Sequence, residues 1–272
     1  MIQFKQAGIC VFQSALYQTT ATVIDTPDLI LIVDPNWLPG EVEEIASYVR
    51  TIQGDKTLYL LFTHSDYDHI IGWQAFPDAI TIASEAFVNN GAKDKEVKQI
   101  LEFDDKHYIQ RSYPIRYPEI QIVIKKDEDF LSFNQTRIRF WLAPGHNADG
   151  IFALVEPLGI WIAGDYLSDV EFPFIYHSVE AYQQTMKKAA HILSKARPKL
   201  LVPGHGTVTR DIPEMGRRLL FSEQYLASLI RHAKGEELFD EEKLLAQYPF
   251  PIGLRSIHQD NLKLISESIH KP

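Results

Sequence analysis

The stretch Leu61-Phe62-Thr63-His64-Ser65-Asp66-Tyr67-Asp68-His69 places two imidazoles and two carboxylates within six residues. It overlaps the end of the apolar run 57–62, which is typical of a buried strand. A loop at the end of such a strand can direct alternate side chains to one point. Neutral imidazole and ionised carboxylate are ligands of zinc, iron and manganese. The stretch fits either a metal-binding loop or a solvated turn with two incidental histidines, and the donor types favour the metal site.

Three further donors lie where short apolar segments end, at residues 138–142, 160–163 and 200–202. They are His146 in Ala143-Pro144-Gly145-His146-Asn147, Asp165 in Ile162-Ala163-Gly164-Asp165-Tyr166, and His205 in Val202-Pro203-Gly204-His205-Gly206. Glycine next to each donor lets the backbone turn tightly where a strand ends. One histidine of this kind would be an ordinary loop residue, but four similar strand ends together predict a shared metal site.

The order and spacing of these motifs resemble the metallo-β-lactamase-fold hydrolase superfamily over about residues 23–208. In that family a His-x-His-x-Asp-His motif is followed by a His, a bridging Asp and a final His. The resemblance implies two divalent metal ions, with one set of ligands for each ion and one carboxylate that bridges them. The first ion would take His64, Asp66 and His146, the second would take Asp68, His69 and His205, and Asp165 would bridge the two.

Asp66 departs from the family pattern, because it stands where the usual motif has its second His. A carboxylate here is similar to flavodiiron proteins, which place Glu, and to the nuclease-like domain attached to bacterial DNA-uptake channels, which places Asp. The oxygen-rich ligand set shifts the metal preference toward manganese or iron, while zinc, the preferred candidate, still tolerates it. In the alternative interpretation Asp66 only hydrogen-bonds a ligand histidine, which would leave one tightly bound ion.

Asp34, in Leu31-Ile32-Val33-Asp34-Pro35, matches an acidic residue that follows an early strand in the family and supports the metal ligands. It fits equally well an aspartate that starts a turn before Pro35. The sequence leaves both roles open.

The resemblance implies hydrolysis by a hydroxide shared between two ions about 3.5–4 Å apart, because coordination lowers the pKa of water toward about 7. The expected catalytic residues are Asp68, which would orient the hydroxide, and Tyr166, which directly follows Asp165. The phenol of Tyr166 would donate to a substrate oxyanion. The alternative for Tyr166 is packing beside the sheet with its hydroxyl bonded locally.

Several other polar residues are weaker candidates. His177 and three residues of the segment 85–118 fit the mouth of the site or plain surface: His107, Tyr108 and Tyr113. Four histidines on predicted helices are interpreted as surface or packing residues: His191, His232, His258 and His270. Two basic pairs fit a solvated strand face better than a binding patch: Lys125 with Lys126, and Arg137 with Arg139.

Composition limits the classes of partner. A net charge of −9 argues against sequence-independent binding to nucleic acid, which clustered Lys and Arg would support, and favours a small-molecule substrate. The single cysteine, Cys10, cannot form an internal disulfide and is expected to be buried. The chain opens without a charged segment followed by an apolar one, and no apolar run approaches about eighteen residues. We therefore expect a cytoplasmic protein that makes no membrane contact, whereas the oligomeric state is open.

Apolar periodicity predicts an opening antiparallel meander over residues 2–33, followed by interleaved strands and helices. The further predicted strands are 57–62, 81–83, 120–124, 130–133, 136–142, 151–155, 160–163 and 200–202. The predicted helices are 39–53, 69–76, one capped by Ser178, 212–234 capped by Asp211, 241–247 and 260–270.

Periodicity alone gives an α/β protein with a substantial sheet. The resemblance implies more: a four-layer αββα sandwich of two mixed β-sheets with helices outside, in the α/β (α+β) class. We expect one metallo-β-lactamase-like domain over 1–272, with 210–272 a helical C-terminal cap and 85–118 an excursion over the rim of the site.

The function expected from these features is metal-dependent hydrolysis of a small ester, lactone, thioester or phosphoester. One alternative is a nuclease or phosphodiesterase, which Asp66 keeps open although the acidic charge weighs against long nucleic acid. The other is a di-iron reductase of oxygen or nitric oxide, which would need a separate electron donor, because nothing in the chain resembles a flavin domain. A member of the family with a decayed site is not favoured, because no donor position carries an apolar residue.

Overall fold

In the computed structural model, which describes residues 1–269, the strands form two mixed sheets of seven and five strands with helices on their outer faces. The predicted fold class is therefore confirmed. Most predicted strands lie within one or two residues of their expected positions.

The first sheet begins with the predicted meander and ends in parallel strands. Its neighbours pair antiparallel from β1 to β4 and parallel from β4 to β7. In spatial order its strands are β1 (Ile2–Gln6), β2 (Ile9–Gln13), β3 (Thr20–Asp25), β4 (Leu29–Val33), β5 (Thr57–Leu61), β6 (Ile80–Ser84) and β7 (Ile122–Ile124).

The second sheet is antiparallel except for one parallel pair between its last two strands in the chain. In spatial order its strands are β12 (Leu200–Val202), β11 (Ile160–Ile162), β10 (Ile151–Glu156), β9 (Arg137–Leu142) and β8 (Phe130–Ser132). The facing sides of the two sheets share one apolar core, in which Leu31 of β4 and Ile138 of β9 are fully buried.

The helices lie in two outer layers. They are α1 (Pro39–Ile52), α2 (Tyr67–Ile70), α3 (Glu85–Val88), α4 (Lys93–Lys106), α5 (Val179–His191), α6 (Ile212–Ala233), α7 (Glu241–Leu245) and α8 (Pro251–Ile269). A 3-10 turn at Trp73–Ala75 and a π-turn at Ile192–Ala196 complete them.

Helix α1 shows why the outer layers form. Val42, Ile45, Ala46 and Val49 recur at helical spacing, and all four are buried against the first sheet. Pro39 occupies the first turn, where its missing N–H costs no hydrogen bond. Ser178 caps α5 as predicted, since its hydroxyl accepts from the Ala181 amide at 3.2 Å.

The start predicted for the last helix and the cap predicted for α6 need correction. The last helix begins at Pro251 rather than at residue 260, because Pro251 suits a first turn and Gly253 does not interrupt the helix. Its buried face continues through Leu254 and His258. The predicted end at His270 lies outside the described residues. Asp211 precedes α6 as expected, but its side chain makes no capping hydrogen bond.

The helices after residue 210 pack on the second sheet together with α5. Met186 of α5, Leu226 of α6, Leu254 and Ile265 belong to one buried cluster, which also includes Trp161 of β11. This shared core supports the proposal that 210–272 is a cap within one domain. Within residues 1–269, no helix is both long enough and apolar enough to cross a membrane.

Candidate metal centre

Five loops that follow strands meet at one edge of the sandwich. The loops follow β4, β5, β9, β11 and β12. Backbone hydrogen bonds tie them together: the Ile151 amide donates to the Thr63 carbonyl at 2.8 Å, and the Gly204 amide donates to the Gly164 carbonyl at 2.6 Å. The edge is therefore a fixed frame rather than a set of independent loops.

The loop after β5 turns directly into a short helix. Because α2 begins at Tyr67, Asp68 and His69 lie in its first turn, and the His69 amide donates to the Asp66 carbonyl at 2.9 Å. This turn points Asp68 and His69 toward one side, while His64 and Asp66 precede it.

All seven predicted ligands come together at this edge, in two groups whose potential ligand atoms lie within 4.8 Å of one another. The first group is His64, Asp66, His146 and Asp165, and the second is Asp68, His69 and His205. These two groups match the two sets of ligands that the resemblance implied for two metal ions, with Asp165 counted in the first group.

Asp165 lies between the two groups. Its Oδ2 is 3.5 Å from His64 Nε2, 3.3 Å from His146 Nε2 and 3.3 Å from His205 Nε2. Its Oδ1 is 3.1 Å from His69 Nε2. These distances place Asp165 as close to the second group as to the first, which is the position a bridging carboxylate requires.

Each of the four imidazoles is oriented by a hydrogen bond from its Nδ1 atom. His146 Nδ1 donates to the Phe174 carbonyl at 3.0 Å, and His205 Nδ1 donates to the Tyr17 carbonyl at 2.9 Å. His69 Nδ1 donates to Asp34 Oδ2 at 2.9 Å. A carbonyl or carboxylate can only accept, so these bonds fix the proton on Nδ1.

Asp34 supports candidate metal ligands of both groups. It accepts from His69 and also from the Thr63 hydroxyl at 2.6 Å and the Thr63 amide at 2.9 Å. The Thr63 hydroxyl thus has its own proton engaged and accepts from His64 Nδ1 at 2.9 Å. The geometry favours the supporting role for Asp34 over the role of turn starter.

With every Nδ1 protonated, the four Nε2 lone pairs point at one another and at carboxylates. His69 Nε2 and His205 Nε2 are 3.4 Å apart, and His64 Nε2 and Asp165 Oδ1 are buried without a hydrogen-bond partner. Lone pairs that face each other in this way need a proton or a cation between them. The donor set therefore fits two divalent ions.

The electrostatics of the metal-free protein agree with that fit. Burial alone would lower the pKa of His205, but Glu171, Asp165 and Asp68 outweigh it and raise the pKa to about 10. Burial would raise the pKa of Asp165, yet the surrounding histidines hold it well below its ordinary range. The protonated histidines and the ionised carboxylates stabilise one another. Bound cations would replace the protons and neutralise the carboxylates in their place.

Asp66 faces both histidines of the first group. Its Oδ2 lies 3.1 Å from His146 Nε2 and 3.5 Å from His64 Nε2, and its Oδ1 accepts from the Asn147 amide group. Its side chain is 22% exposed, against 8% for Asp165, so the centre opens to solvent on the Asp66 side.

Tyr166 is locally bonded. Its hydroxyl donates to the Ala143 carbonyl at 2.6 Å and accepts from the His146 amide at 2.9 Å, and the residue is 3% exposed. Burial raises its pKa far above the ordinary value. The geometry supports the alternative role, in which Tyr166 holds the His146 loop rather than a substrate oxyanion.

The weaker candidates lie apart from the donors or have other partners. Three are exposed: His107, Tyr108 and His177. The Tyr113 hydroxyl accepts from Arg111 at 3.4 Å, and His258 is buried with Nδ1 at 3.0 Å from the Tyr225 hydroxyl. Arg139 pairs with Glu156 on the sheet surface. The rim excursion does touch the metal loop, because the Asn90 side chain donates to Ser65 Oγ at 2.9 Å.

Sequence reasoning missed the residues that line the centre from irregular segments. Thr19 is fully buried, with its hydroxyl 3.4 Å from Asp68 Oδ2 and accepting from the Trp37 indole at 2.7 Å. The Tyr176 ring lies 5.0 Å from the His146 ring and is tilted by 53° from it, and Glu171 Oε1 lies 3.8 Å from His205 Nδ1. None of these lies in a motif or a periodic pattern, so no sequence signal pointed to them.

Comparisons with known proteins agree with the geometry. A sequence model described as the metallo-beta-lactamase superfamily matches residues 15–205. No curated protein sequence matches the chain significantly.

Solved structures share the fold at low sequence identity. The stereoselective inverting sec-alkylsulfatase Pisa1 from Pseudomonas sp. is 12% identical with a TM-score of 0.67, covering 98% of this chain and 50% of that one. This chain thus spans about half the length of the alkylsulfatase. A metallo-beta-lactamase family protein from Thermus thermophilus is 13% identical with a TM-score of 0.63, covering 97% of this chain and 95% of that one. The DIM-1 metallo-beta-lactamase is 17% identical with a TM-score of 0.56, covering 83% and 97%. At these identities the likeness shows the fold alone.

Proposed function

Because the chain belongs to the metallo-beta-lactamase superfamily, we propose that it is a metal-dependent hydrolase of a small ester, lactone, thioester or phosphoester. The observation that carries the proposal is the convergence of four Nε2 atoms and three carboxylates on one edge of the sandwich. Fold membership by itself would not identify a reaction, since function depends on the site.

The seven converging residues are proposed as the metal ligands, in the two sets given above. Asp165 would fix the separation between the two positions, because one of its oxygens faces His69 and the other faces the remaining three histidines. Zinc is the preferred metal, and manganese or iron suits the extra carboxylate of Asp66. Two divalent ions bound there would lower the pKa of water and polarise the substrate oxygen.

Asp68 is proposed as the catalytic carboxylate that orients the attacking water. Its Oδ2 lies 3.5 Å from His205 Nε2 and 3.6 Å from His69 Nε2, and it faces the Thr19 hydroxyl. Tyr166 contributes by holding the His146 amide, which keeps that imidazole in place. No serine or cysteine nucleophile is needed in this scheme.

The test is a screen of protein reconstituted separately with zinc, manganese and iron against esters, lactones, thioesters and phosphoesters. A single-stranded oligonucleotide with manganese covers the nuclease alternative, and the visible absorbance of the iron form covers the di-iron alternative. We expect hydrolysis of at least one small substrate class.

Asp68→Ala should lower kcat by about 10²–10⁴-fold, the range typical for loss of a group that manages proton transfer, while the protein stays folded. Asp78→Ala is the matched control, because Asp78 is an exposed aspartate that belongs to neither group of donors. Steady-state kinetics and thermal melting measure both variants. Turnover retained in Asp68→Ala would contradict the assignment of Asp68.

A further inference from the structure

The hydroxyl of Thr19 lies beside the carboxylate of Asp68. Thr19 directly precedes β3 and is fully buried. Its Oγ1 is 3.4 Å from Asp68 Oδ2, 2.7 Å from Trp37 Nε1 and 3.2 Å from the Leu16 carbonyl oxygen. The hydrolytic scheme gives Thr19 no role, although its hydroxyl is next to the carboxylate on which that scheme depends.

The partners of this hydroxyl limit where its proton can go. An indole N–H can only donate, so the Thr19 oxygen accepts from Trp37. His205 Nδ1 is 3.3 Å away, but this nitrogen is itself protonated and donates to a backbone carbonyl, so it cannot accept the Thr19 proton. The remaining acceptors are the Leu16 carbonyl and the Asp68 carboxylate.

The Asp68 carboxylate is the stronger of these two acceptors. The Leu16 carbonyl already accepts from the Thr19 amide at 3.2 Å. A carboxylate that binds a metal ion is ionised, and hydrogen bonds to ionised acceptors are about twice as strong as neutral ones. In the described part of the chain, Thr19 is also the one side chain that can donate to Asp68 when the Nε2 atoms of His69 and His205 bind metal. The Thr19 proton is therefore directed to Asp68 Oδ2.

One hydrogen bond is enough to set the orientation of this carboxylate. The last side-chain torsion of an aspartate is broad, so the rotamer of Asp68 does not fix the plane of its carboxylate. Thr19 is β-branched and has a stiff first torsion. A bond from this stiff hydroxyl to Oδ2 therefore determines where Oδ1 of Asp68 points.

Trp37 keeps the Thr19 hydroxyl in place from the other side. The indole is fully buried, with the ring centroids of Phe103 in α4 at 4.8 Å and Tyr67 in α2 at 5.3 Å. The backbone carbonyl of Trp37 accepts from Arg111 Nη1 at 2.8 Å. The indole is thus held between the rim excursion and the helix that carries Asp68, and its N–H stays directed at Thr19.

We propose that Thr19 is a positioning residue that orients the Asp68 carboxylate toward the attacking water, with Trp37 holding the Thr19 hydroxyl. The inference rests on the proposed hydrolytic function, since it refines how one of its catalytic residues is held. Removal of the hydroxyl should change how Asp68 acts while every metal ligand is still present.

The first test is the visible absorption spectrum of the cobalt-loaded protein, because cobalt(II) bands respond to the orientation of a ligand carboxylate. Thr19→Val keeps the shape of the side chain and removes the hydroxyl, and we expect its bands to differ from those of the wild type. Thr19→Ser keeps the hydroxyl and should give the wild-type spectrum. Cobalt content at saturation should be the same in all three proteins.

The second test is turnover of the zinc-loaded protein on the substrate that the screen identifies. Thr19→Val should lower kcat by about 10–100-fold, the usual cost of losing a hydrogen-bond partner of a metal ligand. KM should be unchanged, because Thr19 is buried and does not contact the substrate. Thr19→Ser should regain most of the turnover.

Thr81→Val is the matched control. Thr81 is also a buried threonine, and its hydroxyl donates to the Glu119 carbonyl at 2.6 Å and accepts from the Gln121 amide at 3.0 Å. It belongs to neither group of donors. Thr81→Val should therefore lower the melting temperature, as Thr19→Val does, and leave the cobalt spectrum and kcat unchanged.

A double-mutant comparison separates the two partners of the hydroxyl. In Trp37→Phe no indole N–H needs an acceptor, so a Thr19 that served only Trp37 would become dispensable. We expect Thr19→Val to lower kcat in this background as well, by a smaller factor. No effect of Thr19→Val in the Trp37→Phe protein would overturn the inference.

The two proposals can fail separately. If no substrate is hydrolysed, but Thr19→Val changes the cobalt spectrum and Thr19→Ser restores it, the positioning of Asp68 stands and the hydrolytic function is contradicted. If the protein is a hydrolase, either equal spectra or equal kcat for the wild type and Thr19→Val shows that the role given to Thr19 is wrong.

Discussion

At the scale of single residues, the state of the four histidines is set by the oxygen atoms that their Nδ1 atoms touch. Those oxygens belong to a carboxylate, a hydroxyl and two carbonyls, namely Asp34, Thr63, Phe174 and Tyr17. All four Nε2 atoms are thereby turned toward Asp165. Supporting contacts of this kind are as much a part of a metal site as its ligands.

Proton release on metal binding follows from the same residues. Burial lowers the pKa of His64, but Asp165 and Asp66 outweigh burial and the neighbouring His69 and raise it to about 9. The pKa of His205 is raised to about 10. At about pH 7 the metal-free centre therefore holds protons on groups that must lose them to bind a cation.

We expect zinc binding to release protons, and the apparent affinity to rise as the pH increases from about 6 toward 9. Calorimetric titrations at one pH, in buffers of different ionisation enthalpy, count the released protons. The same heat in every buffer, together with an affinity independent of pH, would show that these histidines are neutral without metal.

The seven donors could be predicted from the sequence because each lies in a short motif directly after an apolar segment. The supporting atoms could not. Two of the four acceptors are the backbone carbonyls of Tyr17 and Phe174. Every residue has a backbone carbonyl, so the residue type does not show which carbonyl will accept a hydrogen bond. The position of Glu171 beside the site was not predicted for a related reason, since its loop carries no recognisable motif and no apolar periodicity.

At the scale of elements, strand ends and the glycines after them position the donors. Gly204 follows β12, and its amide bonds to the Gly164 carbonyl of the loop after β11. A Cβ atom at position 204 would lie 2.1 Å from Asp165 Oδ1 and 2.9 Å from the Gly164 carbonyl carbon. Only glycine lets the two loops approach closely enough for Asp165 to reach all four histidines.

Gly204→Ala should therefore displace the Asp165 carboxylate and lower kcat by about 10²-fold, the usual cost of a displacement of about 1 Å. Gly91→Ala is the control, because a Cβ there meets nothing within 4 Å. Metal content and turnover of the two variants give the comparison. If Gly204→Ala kept two ions and full turnover, close approach of these loops would not matter to the centre.

Most elements could be predicted because their apolar periods are clear, as for α1 and β9. The start of α8 was wrong, since Gly253 weakens the helical pattern in sequence. The buried face of Leu254, His258, Asn261 and Ile265 nevertheless extends the helix back to Pro251. Packing on the rest of the molecule overrides the local preference of one glycine.

At the scale of the whole molecule, the C-terminal helices support the centre across a long separation in the chain. Asn261 of α8 donates to the Pro173 carbonyl at 2.7 Å and accepts from the Ile175 amide at 2.9 Å. Between these two residues lies Phe174, whose carbonyl orients His146. The sandwich could be predicted through the resemblance, but this link could not, because it joins segments that have no shared pattern.

Asn261→Ala should destabilise the protein by about 1–3 kcal/mol, because it leaves a buried amide and a buried carbonyl without partners. It should also weaken metal binding at the first group through His146. Asp260→Ala, at the exposed neighbouring position, is the control. Chemical denaturation and zinc titration measure both effects. If Asn261→Ala were destabilised but bound zinc with unchanged affinity, the contacts of Asn261 would not support the metal centre.

The measurement that tests the central claim most directly is the metal content of the fully active protein, determined by elemental mass spectrometry. Seven donors divided into two groups around Asp165 predict about two divalent ions per chain, with turnover lost as the second ion is removed. A single tightly bound ion in protein of full activity would contradict the bridging role of Asp165 and the account of the site built on it.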